Sequence, residues 1–456
     1  MNVGFISLGC SKNLVDTEMM IGLFKNEKYN IVNNPKEADI IVINTCGFIE
    51  SAKEEAINTM LEMAKYKIDK NGKSESGGHC KYLIATGCLV ERYKEELEKS
   101  IPEVDLFVKF SEYNTIWKQI EDAINKYNKN EKINDAEDYK KLDFMERIIT
   151  TGKNYAYLRV AEGCNNFCTF CAIPYIRGRF VSRKEEDVIE EAKKLAKQGI
   201  KELIVIAQDT TKYGEDIYGK PKLADLLNKL SKIDGIEWIR FLYSYPETIT
   251  EDLIEEVKNN KKVCKYFDIP MQHISNKVLK KMNRKTTKES TMKLIEKLRK
   301  EIPDVIIRST LMVGFPGETA DDFNQMYDFV KWAKFDKLGC FTYSKEDGTP
   351  ASNMENQVHP MTKKSRYNKI MKLQQQISYD NLKNNIGKEM KVLIEGKSDI
   401  KIPGTNEFYL IGRTYMDVPE IDGVIYVAGK ANINEFCNCI VTDVTDEYDL
   451  IGKIKN

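Results

Sequence analysis

The sequence predicts an α/β protein of three parts: an N-terminal doubly wound parallel sheet, a central partial (β/α)6 barrel and a small C-terminal all-β barrel. Two successive alternations of short Ile/Val-rich runs with helical patterns indicate the first two parts, because such runs are typical of strands buried on both faces. Short strands separated by turn residues at the end of the chain indicate the third part. The length of 456 residues also favours more than one domain.

Residues 1–125 form the predicted N-terminal sheet. Its strands are the runs NVGFISLG, ADIIVINTC, KYLIATGC and DLFVKF, and the helices that follow them begin near Asn13, Ser51, Glu91 and Glu112. Three of these strands end in a cysteine, namely Cys10, Cys46 and Cys88. Ligands of open α/β sheets bind beyond the carboxyl ends of the strands, so we expect the three thiols to converge.

A single cysteine at a strand end is often a small buried hydrophobic residue, and this is the alternative for each of the three. Their equivalent positions, each beside a glycine (Gly9, Gly47 or Gly87), favour a shared site instead. Cys80 lies in a polar loop outside this pattern, and we treat it as incidental.

The segment 126–150 is highly charged and low in strand signal, which is typical of a linker with some helix. After it, residues 151–361 alternate amphipathic helices with six strand-like runs: YAYLRVAE, ELIVIAQD, WIRFLYSYP, YFDIP, VIIRSTLMVGF and LGCFTYS. Six such units predict a partial barrel, and its chemistry is expected on the loops that follow the strands, at the C-terminal face.

The first of these loops reads EGCNNFCTFCAIP and holds Cys164, Cys168 and Cys171. A structural zinc site takes four ligands, and the next cysteine along the chain is Cys264. Either a fourth ligand arrives from a distant segment, or the site keeps one position open. Iron–sulfur clusters are held by cysteine thiolates, and a cubane with three protein ligands leaves one iron free.

Charge balance, the first residues and the lack of a long apolar run argue against several classes of protein. The 70 basic and 70 acidic side chains cancel, so the whole chain gives no argument for binding to nucleic acid or membranes. The start MNVGFISLGCSKN lacks the features of a signal peptide, and no apolar run approaches the roughly 18 residues of a membrane helix. We therefore expect a cytoplasmic protein whose eleven cysteines are reduced thiols.

A charged helix is predicted over 362–385, and short strands follow over 386–456. About 70 residues of this kind suit a small barrel without a core large enough for an enzyme of its own. Cys437 and Cys439 stand in one predicted strand, where we expect that they need not face the same side and that they pack in the core. The segment carries 8 basic and 12 acidic side chains, a net charge of −4.

The pattern C-x3-C-x-aromatic-C in the barrel loop resembles the radical S-adenosylmethionine superfamily. The resemblance implies that Cys164, Cys168 and Cys171 hold a 4Fe-4S cluster whose free iron binds S-adenosylmethionine and whose electron cleaves it to a radical. It assigns to the cofactor Phe170, Gln208, Asp209 and Gly314. A zinc knuckle is the alternative for the cysteines, and a plain turn is the alternative for the glycine.

The three parts in this order resemble the methylthiotransferase family along the whole chain, with a C-terminal TRAM module. The motifs SLGCSKNLVDTE, NTCGFIESAKEE, ATGCLVERY, RVAEGCNNFCTFCAIPYIRGRFVSR, IPMQHIS and MDVPEIDG look like the branch that modifies an aspartate of small-subunit ribosomal protein twelve. The transfer-RNA branch commonly has Gln-Met in place of Ser11-Lys12. His273, after the fourth barrel strand, is a candidate substrate contact, although a lone histidine is more often structural.

The family resemblance implies two 4Fe-4S clusters, with Cys10, Cys46 and Cys88 holding the first. It implies S-adenosylmethionine as cofactor, a small-subunit ribosomal protein as substrate and an external electron donor. We expect no membrane attachment, because the chain lacks a long apolar run, and no direct RNA binding, because the net charge of −4 in 386–456 disfavours a phosphate backbone. One alternative is a transfer-RNA methylthiotransferase, which shares all six cysteines and differs in its target. The other is a non-catalytic iron–sulfur protein, which would have no reason to leave two clusters each one ligand short.

Overall fold

The computed structural model describes residues 1–27, 29–69, 71–128, 144–445 and 448–455. Most of the predicted linker, 129–143, lies outside the described residues. The described chain forms a parallel sheet, a set of six parallel strands with helices, and a closed antiparallel-rich barrel, in that order. The predicted fold class is therefore confirmed.

The N-terminal part is a five-stranded parallel sheet with the order β2-β1-β3-β4-β5. Its elements are β1 (Asn2–Ser7), α1 (Ser11–Asn26), β2 (Asn30–Val32), β3 (Ile40–Thr45), α2 (Glu50–Ala64), β4 (Tyr82–Gly87), α3 (Cys88–Ser100), β5 (Leu106–Val108) and α4 (Ile116–Asn128). The apolar runs predict four of these strands; β2 is a short edge strand without such a run. Helices α1 and α4 cover one face through Phe24 and Ile120, and α2 and α3 cover the other through Met60 and Leu97.

The central part has six parallel strands, as the sequence predicts, in two sheets of order β10-β9-β6 and β11-β12-β13. Its elements are β6 (Tyr155–Arg159), β7 (Ala161–Glu162), α5 (Ile173–Ile176), β8 (Val181–Ser182), α6 (Glu185–Lys197), β9 (Glu202–Ile206), α7 (Glu215–Tyr218), α8 (Leu223–Ser231), β10 (Trp238–Phe241), α9 (Glu251–Asn259), β11 (Tyr266–Gln272), α10 (Asn276–Lys281), α11 (Lys288–Glu301), β12 (Ile306–Val313), α12 (Ala320–Ala333) and β13 (Lys337–Thr342). A bridge between Ile239 and Val263 joins the two sheets. The short strands β7 and β8 pair with each other, so that the cysteine loop between them is closed at its base.

The C-terminal part begins with a long helix and ends in a closed barrel of strand order β14-β15-β16-β18-β17. Its elements are α13 (Pro360–Lys383), β14 (Glu389–Lys401), β15 (Phe408–Arg413), β16 (Ile425–Ala428), β17 (Phe436–Val444) and β18 (Leu450–Ile454). The turn signals predict the first four strands, and β18 adds a fifth that pairs with both β16 and β17. No helix among the described residues is long and apolar enough to cross a membrane.

The expectation for Cys437 and Cys439 is wrong. Residues two apart in a strand point to the same face, and their Sγ atoms lie 3.5 Å apart. Cys439 is buried while Cys437 is half-buried at the edge of the same apolar cluster, so only part of the pair packs in the core.

Buried ion pairs attach the C-terminal barrel to the central part. Glu202 of β9 lies 2.8 Å from Arg240 of β10 and 2.7 Å from Arg413 of β15, and all three side chains are buried. Burial is costly for an isolated charge, but here each charge has an opposite partner. The two neighbouring guanidinium groups hold the pKa of Glu202 below its ordinary value although burial acts to raise it. The junction is therefore fixed by charge as well as by apolar packing.

Candidate functional site

The three N-terminal cysteines lie at one edge of the parallel sheet. Cys10 precedes α1, Cys46 follows β3, and Cys88 is the first residue of α3. The chain passes close to itself here: a Cβ atom on Gly9, which has a φ of +85°, would lie 2.8 Å from the Cys46 Sγ. A side chain at this glycine would occupy the space beside the thiols, so glycine is required for both its backbone conformation and its size.

Burial and mutual proximity shape the chemistry of these thiols. Burial raises the pKa of Cys88 to about 12, and it also raises the pKa of Cys46, with Cys10 adding to both shifts. A thiol with a raised pKa still loses its proton when a thiophilic metal binds the sulfur, because the metal takes the place of the proton. The three thiols therefore influence one another electrostatically at this edge of the sheet, and their joint binding of a cluster stays a prediction.

Arg177, on the barrel loop, reaches into this N-terminal group. Its Nη2 lies 3.5 Å from the Cys88 Sγ and donates to the Asn13 Oδ1 at 2.5 Å, and its Nη1 lies 2.9 Å from an Asp16 carboxylate oxygen. The Asn13 amide in turn donates to the backbone carbonyl of Thr45, beside Cys46. One guanidinium therefore ties the barrel loop to the loops that carry the first cysteine set.

The second cysteine set lies on the loop between β7 and β8. The Cys164 N–H donates to the Gly178 carbonyl at 3.2 Å, and the Cys171 N–H donates to the Cys168 carbonyl at 2.9 Å, which folds the loop back on itself. Burial raises the pKa of both Cys164 and Cys171, and the neighbouring thiols raise it further.

Two groups from other loops contact Cys168. Its Sγ lies 3.6 Å from the Tyr245 hydroxyl and 3.8 Å from the Arg284 Nη1. The Arg284 guanidinium also lies 4.2 Å from the centre of the Tyr245 ring. A hydroxyl and a guanidinium from distant segments thus lie against one sulfur of the second cysteine set.

The residues that the resemblance assigns to S-adenosylmethionine surround this loop. Phe170 packs edge-on against Phe315, with ring centres 6.5 Å apart. Gln208 donates to Glu162 at 2.5 Å, and its own Oε1 is buried without a hydrogen-bond partner among the described residues. A buried acceptor such as the Gln208 Oε1 usually has a hydrogen-bond partner, so its position suits a polar ligand that donates a hydrogen bond.

Asp209 follows the second barrel strand, β9, as the sequence predicts. The carboxylate is fully buried and accepts hydrogen bonds from Asn166, on the cysteine loop, at 2.8 Å and from Thr211 at 2.7 Å. Burial raises its pKa in spite of these bonds. Its contacts support the loop, and its predicted contact with the cofactor stays a prediction.

Gly314 and His273 meet at a shared carboxylate. The Gly314 N–H donates to Glu318 at 2.6 Å, and the His273 Nε2 lies 3.6 Å from the same Glu318 oxygen. The imidazole is fully buried, and its Nδ1 accepts from the Ser275 N–H at 3.0 Å. Gly314 has a φ of +76°, a backbone conformation that by itself favours glycine at this position. The substrate contact predicted for His273 and the cofactor contact predicted for Gly314 stay predictions.

The donor set fits iron–sulfur clusters better than a single ion. No group of three or more His, Cys, Asp or Glu side chains in the described part of the chain could hold one metal ion. A cubane differs from such a site, because each cysteine binds a different iron and the sulfurs therefore stand farther apart. Two sets of three soft thiol donors, with no imidazole among them, suit that arrangement.

Comparisons with known proteins agree along the whole chain. Residues 2–109 match the model of the Uncharacterized protein family UPF0004, residues 158–330 match the Radical SAM superfamily, and residues 386–454 match the TRAM domain. The ribosomal protein uS12 methylthiotransferase RimO of Alkaliphilus oremlandii is 58% identical over 459 residues, covering 100% of this chain and 99% of that protein. The chain belongs to the ribosomal protein uS12 methylthiotransferase family.

Other members of this methylthiotransferase family are similar over the same extent. The protein of the same name from Clostridium perfringens is 53% identical over 100% of this chain and 98% of its own length. That from Acetivibrio thermocellus is 50% identical with the same coverage, 100% and 98%. The predicted family and the branch named by the motifs are thereby confirmed.

A solved structure supports the fold of this family member. The radical S-adenosylmethionine methyltransferase TsrM from Kitasatospora setae, with cobalamin and a [4Fe-4S] cluster bound, has a TM-score of 0.54. It covers 77% of this chain and 76% of its own at 13% identity, so the likeness concerns the fold alone.

Sequence reasoning did not single out the basic residues that surround the thiols. Arg177 lies six residues beyond Cys171 in the motif RVAEGCNNFCTFCAIPYIRGRFVSR. This short spacing is a signal from which a role for Arg177 near the cysteines could have been predicted. Arg284 lies more than a hundred residues from every cysteine of the two sets, and only the fold brings it to Cys168.

Proposed function

We propose that this chain methylthiolates the β-carbon of an aspartate in ribosomal protein uS12 by radical chemistry. The observation that carries the proposal is the pairing of two three-cysteine sets, one at the sheet edge and one on the barrel loop, with Arg177 reaching from the second set to the first. The supporting comparison is 58% identity to a uS12 methylthiotransferase over the full length.

We propose two 4Fe-4S clusters and S-adenosylmethionine as cofactors. The first cluster would be held by Cys10, Cys46 and Cys88, and the second by Cys164, Cys168 and Cys171. When bound, these groups supply a radical able to take hydrogen from an unactivated carbon, and a sulfur carrier within reach of that carbon. The protein contributes position and electrostatics, as is general for cofactor enzymes.

The residues of the chain have definable tasks around these groups. Arg284 and the Tyr245 hydroxyl would stabilise the negative charge on the Cys168 sulfur, and Arg177 would do the same for Cys88. Cys46, Cys88, Cys164 and Cys168 are buried, and a site closed to water on this side would protect a radical from side reactions. The ion pairs of Asp16 with Arg159 and Arg177 hold the sheet edge against the barrel.

We propose a division of labour that follows the predicted domains. Residues 1–125 would carry sulfur, residues 151–361 would generate the radical, and residues 386–456 would bind substrate; 126–150 and 362–385 would connect them. The net charge of −4 in the last segment disfavours a phosphate backbone and suits a Lys/Arg-rich ribosomal protein. An external donor would supply electrons, and a ribosomal-protein target would place the reaction in the cytoplasm. The negative charge of the last segment is the support for an absence of direct RNA binding.

The test is a reconstituted reaction. The protein is loaded with iron and sulfide without oxygen and incubated with purified uS12, a reductant and S-adenosylmethionine, and peptides of uS12 are then analysed by mass spectrometry. We expect one methylthio group in place of one hydrogen on a single aspartate, and none with the Cys168→Ala variant. An unmodified uS12 from a fully iron-loaded enzyme that cleaves S-adenosylmethionine would refute the proposed target.

A further inference from the structure

Lys12 reaches from the N-terminal part to the barrel. It lies on α1, two residues beyond Cys10, and its side chain is only 6% exposed. Its Nζ lies 2.9 Å from the centre of the Tyr243 ring. Within the described part of the chain the ammonium has no hydrogen-bond or ion-pair partner. Buried lysine side chains are rare unless they are paired, and the contact given for this ammonium among the described residues is an uncharged aromatic ring.

Tyr243, the residue that Lys12 contacts, belongs to the barrel, which carries the second cysteine set. Tyr243 follows β10 and has a φ of +65°, a conformation that a tyrosine adopts only when its neighbours hold it. Its N–H donates to an Asp268 carboxylate oxygen at 2.9 Å, and its carbonyl accepts from the Thr210 N–H at 3.0 Å. Tyr245, two residues further on, contacts Cys168. Lys12 therefore connects the helix that follows Cys10 to the barrel loop whose Tyr245 contacts Cys168.

The other cations nearby already have partners. Arg159 and Arg177 pair with Asp16 and Glu162, and Arg284 donates to the Pro270 carbonyl at 2.8 Å and contacts Cys168. The ring face of Tyr243 holds the Lys12 side chain in place by a cation–π contact but gives it no negative charge. A ligand with a carboxylate would complete the pairing.

We propose that the Lys12 ammonium binds the side-chain carboxylate of the target aspartate and selects an aspartate over a neutral group. The inference rests on the proposed function, in which one cysteine set would hold the cluster that generates the radical and the other set would hold the sulfur carrier. A substrate that loses hydrogen to the radical and receives sulfur from the carrier would lie between the two sets. A carboxylate brought into this buried site loses its water, and a fixed ammonium is the group that offsets this loss. Lys12 is thus a specificity-determining residue for the reaction.

The test is a double-mutant cycle across the enzyme and its substrate. Dissociation constants are measured by fluorescence anisotropy with labelled uS12 and its Asp→Asn form, using iron-loaded enzyme and S-adenosylmethionine but no reductant, so that no turnover occurs. Wild-type enzyme is expected to bind the aspartate form about 10 to 100 times more tightly, the range of a charge-assisted hydrogen bond. Lys12→Met is expected to bind both forms equally.

Two further variants serve as controls. Lys25→Met removes the same charge from the exposed end of the same helix and should keep the full preference for aspartate. Lys12→Arg keeps the charge and should retain part of that preference. An unchanged preference in Lys12→Met would overturn the inference, and so would a loss of iron in that variant, since the ammonium would then serve the cluster. Failure of the proposed function would look different: wild-type enzyme would leave uS12 unmodified.

Discussion

Replacing Asp16 by asparagine should loosen the attachment of the N-terminal sheet to the barrel. Asp16 is 1% exposed and lies on α1, whereas its partners Arg159 and Arg177 belong to the barrel. The Oδ1 atom accepts from the Arg159 Nη1 at 2.5 Å, and the Oδ2 atom lies 2.9 Å from the Arg177 Nη1. Asparagine has nearly the same shape but no charge, so the substitution isolates the electrostatic contribution.

The loss of stability in Asp16→Asn depends on which charges stay buried near the two arginines. Removing one partner of a buried ion pair costs about 3–5 kcal/mol, because the other charge stays buried. Glu162 still lies 3.0 Å from Arg159 and 3.3 Å from Arg177, which favours the lower end, about 3 kcal/mol. For an unfolding unit of domain size, 1 kcal/mol shifts the midpoint by about 2–4 °C, so the first transition should fall by about 6–12 °C.

Differential scanning calorimetry of the apo chain measures this shift directly. Asp122→Asn, which removes an exposed carboxylate from the same part of the chain, serves as the matched control and should leave the first transition in place. Hydrogen exchange of α1 should increase in Asp16→Asn alone. If both variants unfold at the wild-type temperature, the reasoning about the buried carboxylate is refuted.

Two further predictions concern the cysteine sets. Anaerobically reconstituted protein should hold about eight irons per chain, and the triple alanine variant of Cys10, Cys46 and Cys88 about four, as colorimetric iron assays would show; full iron in that variant would remove the N-terminal assignment. Cys168→Ala should abolish 5′-deoxyadenosine formation, while Cys46→Ala should still cleave S-adenosylmethionine without transferring a methylthio group; equal loss of cleavage in two folded variants would count against separate tasks.

The positions that follow from periodicity and chain direction could be predicted from the sequence. The carboxyl ends of parallel strands share one edge of the sheet, so the sequence predicts that three strand-end cysteines lie at that edge. The loop after the first barrel strand was placed by the same rule. Short strands such as the edge strand β2 and the barrel strand β18 lack a periodic signal, and the structure alone reveals them.

The contacts that link the parts could not be predicted in this way. Arg284 reaches Cys168 across more than a hundred residues, and Lys12 reaches Tyr243 from another part of the chain. Neither spacing nor composition encodes such pairings, since they depend on how separately folded parts pack. The error at Cys437 had a simpler origin, because the two-residue period of a strand places it on the same face as Cys439.

A competition reaction distinguishes a protein target from an RNA target. Purified uS12 and unmodified transfer RNA are offered together, without oxygen, to the iron-loaded enzyme with reductant and S-adenosylmethionine. Mass spectrometry of both products is expected to find methylthio-aspartate on uS12 and no methylthio group on the RNA. A methylthio group on the RNA with uS12 unmodified would contradict the account of the target.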